Sequence, residues 1–402
     1  MSIQVDAGRQ FLALMREDPY PTYRMLREAD PVFWNEALQT FILTRHGDLS
    51  EILRNHAQWS VNRRQSENFR QLKGLSEMDD FPVSLLGLDP PDHTRLRGLV
   101  MKAFTPRMVE RLRPRVEEIV NGLLDSVAAR GEFDLVTDFA YPLPVTVIAE
   151  MLGVPPADWE KFRGWSSTLA ASLDPMITSE KLAAALVARN ALMGYFKGII
   201  AERRADPRED LITGLIAAEE EGRALTEIEL LVMLNLLLVA GHETTVNLVG
   251  NGILALLRNP DQQERLRAHP ELIETAVEEM LRYDSPVQLT SRIAVADAEL
   301  GGKTIGKGQT VMLLLGAANH DPEVYTDPES MDLGRTPNPH LSFSRGIHFC
   351  LGAPLARIEG QVAIGSMIAR FPNLRLAHPD QPVLWREQLV LRGLESLPLR
   401  VS

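Results

Sequence analysis

Cysteine is almost missing from this chain: 402 residues contain one, Cys350. A single thiol forms no internal disulfide, and a core drawn from 45% hydrophobic residues needs no such staple. Basic residues are also short, 42 Lys and Arg against 54 Asp and Glu, for a net charge of −12. That deficit argues against a general nucleic-acid binder, which would be basic. Long apolar runs are absent too. The most apolar stretch, "LLVMLNLLLVAG", covers residues 230–241 and contains Asn235, whereas a membrane span needs roughly 20 such residues. The N-terminal "MSIQVDAGRQFLALMREDPY" has no secretory apolar region. A cytoplasmic protein without membrane attachment is expected. No linker-like tract, charge block or repeat divides the chain, so residues 1–402 are expected to form one domain.

What is present is mostly helical. "PTYRMLREA" reads as a short helix. "DPPDHTRLRGLVMKAF" reads as an amphipathic helix whose first turn tolerates Pro90 and Pro91. "PRMVERLRPRVEEIVNGLLDSVAARG" gives one long helix ending at Gly131, and "SEKLAAALVARNALMGYFKGIIAERRAD" another. The longest pattern begins at "TEIELL", with Thr226 as N-cap, and ends before Pro260. "PELIETAVEEMLRYDSP" follows it. Strands are few: "PVFW" with "TFILT" as a hairpin, "AELGGKTIGKGQTVMLLL" as another, and "REQLVLRGLESLPLRVS" as a terminal pair. Residues 60–88 are irregular, and a loop of that length is either functional or disordered. The fold class is mainly α with small β-sheets near both ends.

The lone thiol lies in "FSRGIHFCLG", residues 343–352, bracketed by Gly346 and Gly352. Glycines there permit sharp turns and close approach. Pro354 sits where a helix can begin, so Cys350 would precede a helix N-terminus, which favours a thiolate. A lone Cys is most often a small buried hydrophobe. As a nucleophile it would use His348, two residues away, as base. As a zinc ligand it lacks partners. A haem iron needs only one axial protein ligand, which suits a single Cys best.

The segment resembles the haem-binding signature of the cytochrome P-450 family, with Phe343, Gly346, Cys350 and Gly352 in register and His348 in the basic slot. The resemblance implies the cytochrome P-450 fold, with a long distal helix and a proximal Cys loop. It makes Cys350 the thiolate ligand of a haem b (iron protoporphyrin IX). Phe343 and Phe349 would then wall the porphyrin.

"VAGHETTVNL" places polar residues inside the apolar helix, and burying a carboxylate is costly unless it is paired or hydrated. By itself this could be a helix with a solvent-facing polar side. Ala240 to Thr245 is similar to the family's Ala-Gly-x-acid-Thr-Thr motif. The resemblance implies that Ala240 and Gly241 leave room for dioxygen, that Thr244 passes a proton beside it, and that Glu243 supplies protons through water. Helical spacing puts Leu236 and Ala240 on the Thr244 face, with Met233 and Leu237 beside them as substrate candidates. Val287, Leu289 and Leu391 are further candidates, together with residues 60–88 and 165–185, and Arg63 and Arg64 could meet a substrate carboxylate.

In "VEEMLRYDSP", Glu278 and Glu279 can both reach Arg282 by helical spacing. The family's Glu-x-x-Arg motif selects Glu279 with Arg282, and "MDLGRTPNPH" resembles the segment supplying the third member, Arg335. These three are expected to serve folding. In "DHTRLR", His93 and Arg97 share a helix face while Arg95 points elsewhere. The resemblance makes His93, Arg97, Arg292 and His348 the partners of the haem propionates.

The implied function is a haem-thiolate monooxygenase that uses O2 to hydroxylate or epoxidise a mid-sized, mostly apolar substrate, such as a polyketide, terpenoid, steroid or fatty acid of secondary metabolism. No strand–G-x-G-x-x-G–helix fingerprint is present, so electrons would come from a separate ferredoxin or flavodoxin with its NAD(P)H reductase. Residues 92–115 carry eight basic side chains against Asp92 and Glu110, and this is the expected docking charge. A monomer is expected. The rivals are a haem-based sensor or carrier, which needs no acid–alcohol pair, a haem-thiolate peroxygenase, which resembles members lacking that pair, and a Cys-His hydrolase.

Overall fold

The computed structural model describes residues 16–67, 83–172, 174, 178–220 and 223–401. The helices that matter here are α1 (Tyr20–Ala29), α2 (His46–Arg54), α3 (Asp92–Ala103), α4 (Arg113–Arg130), α5 (Pro142–Met151), α6 (Trp159–Ala171), α7 (Ser179–Ala205), α8 (Glu227–Arg258), α9 (Ile273–Tyr283) and α10 (Ala353–Arg370). Helix α8 is the axis. It packs on α5, α6, α7, α9 and α10, and from Thr245 to Leu256 every residue is buried. Its start is fixed by a capping box, the Thr226 side chain accepting from the Glu229 amide while the Glu229 carboxylate accepts from the Thr226 amide. Its end gives way at Asn259 to Pro260, which opens the next helix. By length and composition this is the one described helix that could cross a membrane, yet it runs through the core.

The long helix expected over residues 106–130 is two pieces, Pro106–Glu110 and α4. Pro114 lacks an N–H and sits in the first turn of α4, where that loss is harmless; inside one continuous helix it would break a bond.

The largest sheet among the described residues has five strands. Strands β1 (Val32–Asn35) and β2 (Thr40–Leu43) form the expected hairpin. In the same sheet, β3 (Trp59–Ser60) pairs with β4 (Leu289–Ala294), β4 pairs antiparallel with β5 (Thr310–Leu314), and β5 runs parallel to β2. The segment read as one hairpin over residues 298–315 is therefore a small hairpin, Ala298–Leu300 with Lys303–Ile305, followed by a strand of the main sheet. The C-terminal pair also differs. Leu394–Ser396 pairs with Leu384–Trp385, whereas Pro398–Arg400 pairs with Glu132–Asp134 and Arg375–Leu376. Strand β4 carries Arg292 toward α3, and the loop before α10 brings in Cys350.

Candidate active site

The Cys loop is built by one strained glycine and one helix start. Gly346 has φ +69, and a Cβ there would land on the Leu53 carbonyl oxygen of α2, so no other residue fits without moving α2. The Cys350 amide donates to Phe343 O at 2.9 Å and closes the loop. Gly352 has an ordinary φ of −81 as the residue before α10. Backbone freedom therefore does not explain it, contrary to the sequence reading. Its missing side chain instead leaves the space next to the sulfur clear, a Cβ there lying 4.0 Å from Cys350 Sγ.

Burial pushes the Cys350 thiol above its ordinary pKa, while hydrogen bonds from the Gly352 and Ala353 amides and the charges of Arg97 and Arg357 oppose this. Two amides aimed at a sulfur whose thiolate is disfavoured by burial suit a metal-bound thiolate, because coordination removes the proton outright. They do not suit a free nucleophile, which needs a depressed pKa. The proposed base is also unsuitable: burial and the charges of His93, Arg292 and Arg97 hold His348 down to about 3. Phe343 is buried under the Arg357 guanidinium, 4.7 Å from its ring centroid. Phe349 is 39% exposed, and its carbonyl accepts from Arg97 Nη2 at 2.7 Å.

Around this loop lies a set of cationic and polar groups that, among the described residues, have no carboxylate at ion-pair distance, Asp89 acting on Arg292 and His93 only from further off. His93 is buried with both ring nitrogens unpartnered, and its ring stands 4.2 Å from that of His348, whose Nε2 is also unpartnered. Arg292 is 5% exposed and, among the described residues, donates only to Thr290 Oγ1 at 3.3 Å and Ser291 O at 2.7 Å. Burial pushes it down to about 10, with Asp89 opposing. Burial lowers Arg97 as well. No carboxylate lies within ion-pair distance of Arg97 or Arg292 among the described residues, whereas Arg95 is paired with Glu229. Buried guanidinium groups and orphaned imidazoles are costly unless an anion completes them. The two propionates of a haem whose iron sits on Cys350 would do so, and the donor set fits that group.

On α8, Thr244 Oγ1 donates to Ala240 O at 3.0 Å, and Ala240, Leu236 and Leu237 keep exposed surface on or beside that face. Gly241 does not widen this space. It lets α8 approach α5, a Cβ there meeting Ile148 at 3.3 Å. Met233 is 2% exposed in the core. Val287 bridges Leu391 across the other side, with Leu289 and Leu391 buried.

Glu243 is clamped. It forms an ion pair with Arg386, accepts from Ser167 Oγ at 2.9 Å and lies 3.4 Å from His242 Nε2, which in turn meets Ser166 Oγ at 3.2 Å. Burial would raise its pKa, but His242, Arg386 and Ser167 outweigh that and hold it at about 2. Sequence gave no sign of Arg386 or Ser167, which come from 143 and 76 residues away. Glu359 on α10 went unnoticed too. It is fully buried with the Thr245 hydroxyl as its one polar neighbour among the described residues, and burial raises it to about 8 against the pull of that hydroxyl.

The charge pairs separate cleanly. Arg282 Nε and Nη2 each meet a Glu279 oxygen at 2.8 Å, and Arg335 Nε meets both oxygens at 3.1 Å. Glu278 turns the other way, to Arg357 at 2.7 and 2.8 Å and to His340 at 3.1 Å. Much of the basic charge of residues 92–115 is matched internally, Arg113 with Glu110 and Arg115 with Glu118 and Glu150. Of the expected specificity segments, residues 68–82, 173 and 175–177 lie outside the described residues.

The family description "Cytochrome P450" matches residues 28–394. The chain is 43% identical to Cytochrome P450 107B1 of Saccharopolyspora erythraea, over 96% of this chain and 93% of that one. It is 39% identical to the polyketide biosynthesis cytochrome P450 PksS of Bacillus subtilis, covering 98% of both. The crystal structure of P450BioI in complex with hexadec-9Z-enoic acid ligated acyl carrier protein superposes with a TM-score of 0.90 at 39% identity, over 98% of this chain and 100% of that one.

Proposed function

The chain belongs to the cytochrome P450 family of haem monooxygenases, and from that premise we propose that it inserts one oxygen atom from O2 into a mid-sized, mostly apolar substrate by hydroxylation or epoxidation. The cofactor is haem b, and the electrons come from a separate ferredoxin or flavodoxin with its NAD(P)H reductase. The observation that carries this reading is the convergence of an amide-cradled Cys350 sulfur with the uncompensated His93, Arg97, Arg292 and His348.

When bound, the haem supplies oxygen activation, with O–O cleavage delivering one atom to substrate and one to water. The residues do the rest. Cys350 ligates, and the Gly352 and Ala353 amides tune its donation. Thr244 donates to Ala240 O in this arrangement, so its oxygen lone pairs are left to accept a hydrogen bond, and hold a proton, on the open face of α8. Glu243, held at about 2, stores no proton at neutral pH; it accepts and passes on protons arriving from solvent, and loosening of the Arg386 pair raises its capacity to do so. Aliphatic Leu236, Leu237, Val287 and Leu391 supply an apolar wall, whereas Leu289 packs instead with Tyr23, Ile42 and Leu314. The relatives named for polyketide biosynthesis and bound to a fatty acyl group support substrates of that character.

The test is turnover under labelled O2 with NADPH, ferredoxin and reductase, on compounds that shift the haem spectrum. The product should gain one labelled atom. Thr244→Ala should keep substrate binding yet divert reducing equivalents from product to hydrogen peroxide, measured with a substrate lacking a hydroxyl near the oxidised carbon. Label arriving from water, or equally fast turnover on peroxide without donor, would overturn the reading.

A further inference from the structure

His242, Glu243 and Thr244 are consecutive on α8, and the helix turns them in three directions. Successive side chains of a helix are roughly 100° apart, so Thr244 lies nearly opposite His242, with Glu243 between them. Thr244 keeps exposed surface on the open face of α8, whereas His242 is fully buried and meets Ser166 of α6.

The hydrogen bonds of His242 fix where its protons are. Nδ1 lies 2.9 Å from Leu238 O, one turn back. A carbonyl oxygen only accepts, so Nδ1 carries a hydrogen. Nε2 lies 3.2 Å from Ser166 Oγ and 3.4 Å from Glu243 Oε1. Ser166 Oγ is itself 2.7 Å from Phe162 O, and two oxygens that close need the hydroxyl hydrogen between them. The serine therefore has only lone pairs to offer Nε2. Glu243, held at about 2, is a carboxylate and offers lone pairs as well. A bare Nε2 would face both sets of lone pairs inside the core, where no water relieves the repulsion. Both ring nitrogens are therefore donors, which is the imidazolium form. The surroundings suit that charge. Glu243 Oε2 is taken by Arg386, while Oε1 accepts from Ser167 and faces the ring. The other titratable group against the ring is Tyr141, edge-on with ring centroids 5.8 Å apart.

We propose that His242 is a buried imidazolium that stores the proton Glu243 passes toward Thr244. The storage role rests on the monooxygenase reading above; the charge of the ring does not. On delivery the Nε2–H bond breaks and leaves its electron pair on nitrogen, an O–H bond forms at Glu243 Oε1, and the ion pair becomes a neutral pair. Glu243 releases that proton toward the Thr244 face, and a solvent proton arriving at the carboxylate restores the imidazolium. His242 is thus a positioning residue that acts through Glu243.

Nitrogen NMR of histidine-labelled holoprotein, reduced and bound to carbon monoxide, reads the ring without turnover. At about pH 8, where exposed histidines are largely neutral, one histidine missing from the His242→Gln spectrum should carry hydrogen on both nitrogens. Glu243→Gln should convert the same signal to a neutral ring, and it assigns that signal if His242→Gln fails to fold. A His242 ring with one bare nitrogen in the wild type would overturn the proposal. In turnover, the glutamine of His242→Gln keeps a donor for Glu243 but has no proton to give. Product formation should fall several-fold and its solvent isotope effect should rise, while the substrate-induced spectral shift stays as in wild type. A rate and an isotope effect both equal to wild type would overturn the storage role. The ring's charge is read without oxygen or electron donor, so its failure is distinct from a failure of the monooxygenase reading.

Discussion

Arg95 and Arg97 are two residues apart on α3 and meet opposite fates. Arg95 is neutralised by Glu229, whereas Arg97 reaches the Phe349 carbonyl with no acid beside it. Arg292 is buried with no acid at ion-pair distance among the described residues, Asp89 opposing its burial only from further off. Loss of Arg97 or Arg292 removes an anchor for a haem propionate, while loss of Arg95 breaks only a partly exposed pair worth roughly 1 kcal/mol or less. Haem-to-protein ratio after gel filtration should therefore drop several-fold in Arg97→Ala and Arg292→Ala and stay near wild type in Arg95→Ala. Equal ratios in all three would contradict the propionate assignment. Glu359 yields a second residue-level outcome. Its native pKa is raised to about 8 from 4.5, so between those values the folded protein holds a proton that the unfolded chain has lost. Stability conferred at low pH is thus lost as pH climbs through that window. Glu359→Gln removes the titrating group, and from pH 6 to 8 its stability relative to wild type should improve by about 2–3 kcal/mol. Parallel urea-unfolding profiles for the two proteins would show that Glu359 does not bind a proton on folding.

At the scale of elements, what the sequence made legible was whatever local rules control. The capping box of α8, the β1–β2 hairpin and the helix that begins after Gly352 follow from neighbours in the chain. The misread elements depend on distant partners or on proline. Pro114 divides a pattern whose apolar periodicity is continuous, and Pro398–Arg400 leaves its neighbouring strand for Glu132–Asp134. Spacing could not choose between Glu278 and Glu279 for Arg282. The choice is made by Arg357 and His340, which claim Glu278 from elsewhere in the fold. The Glu279–Arg282 pair is wholly buried, and Arg282 also donates to the carbonyls of Asn319, Pro328 and Ser330 at 2.7–3.0 Å. Lysine cannot reproduce a two-pronged pair and those three bonds from one ammonium. Arg282→Lys should cost about 3–5 kcal/mol, read as a large fall in Tm and in soluble holoprotein. A Tm within a degree or two of wild type would show that the cluster does not hold this part of the fold.

Across the whole molecule, the site was legible where chemistry demands rare residues and hidden where it demands support. One Cys among 402 residues, one acid–alcohol pair in an apolar helix and a few basic side chains are visible as departures from their surroundings. The partners that set their charge states are ordinary residues brought close only by folding: Ser167 and Arg386 at Glu243, Asp89 at Arg292, the Gly352 and Ala353 amides at the sulfur. The central claim is that the lone thiol becomes an iron ligand. It is tested most directly by the absorption spectrum of the reduced holoprotein under carbon monoxide. Wild type should show the strongly red-shifted Soret band that thiolate ligation produces, and Cys350→His should retain some haem while losing that band. A wild-type spectrum without the shift, or a Cys350→His variant that keeps it, would contradict the account.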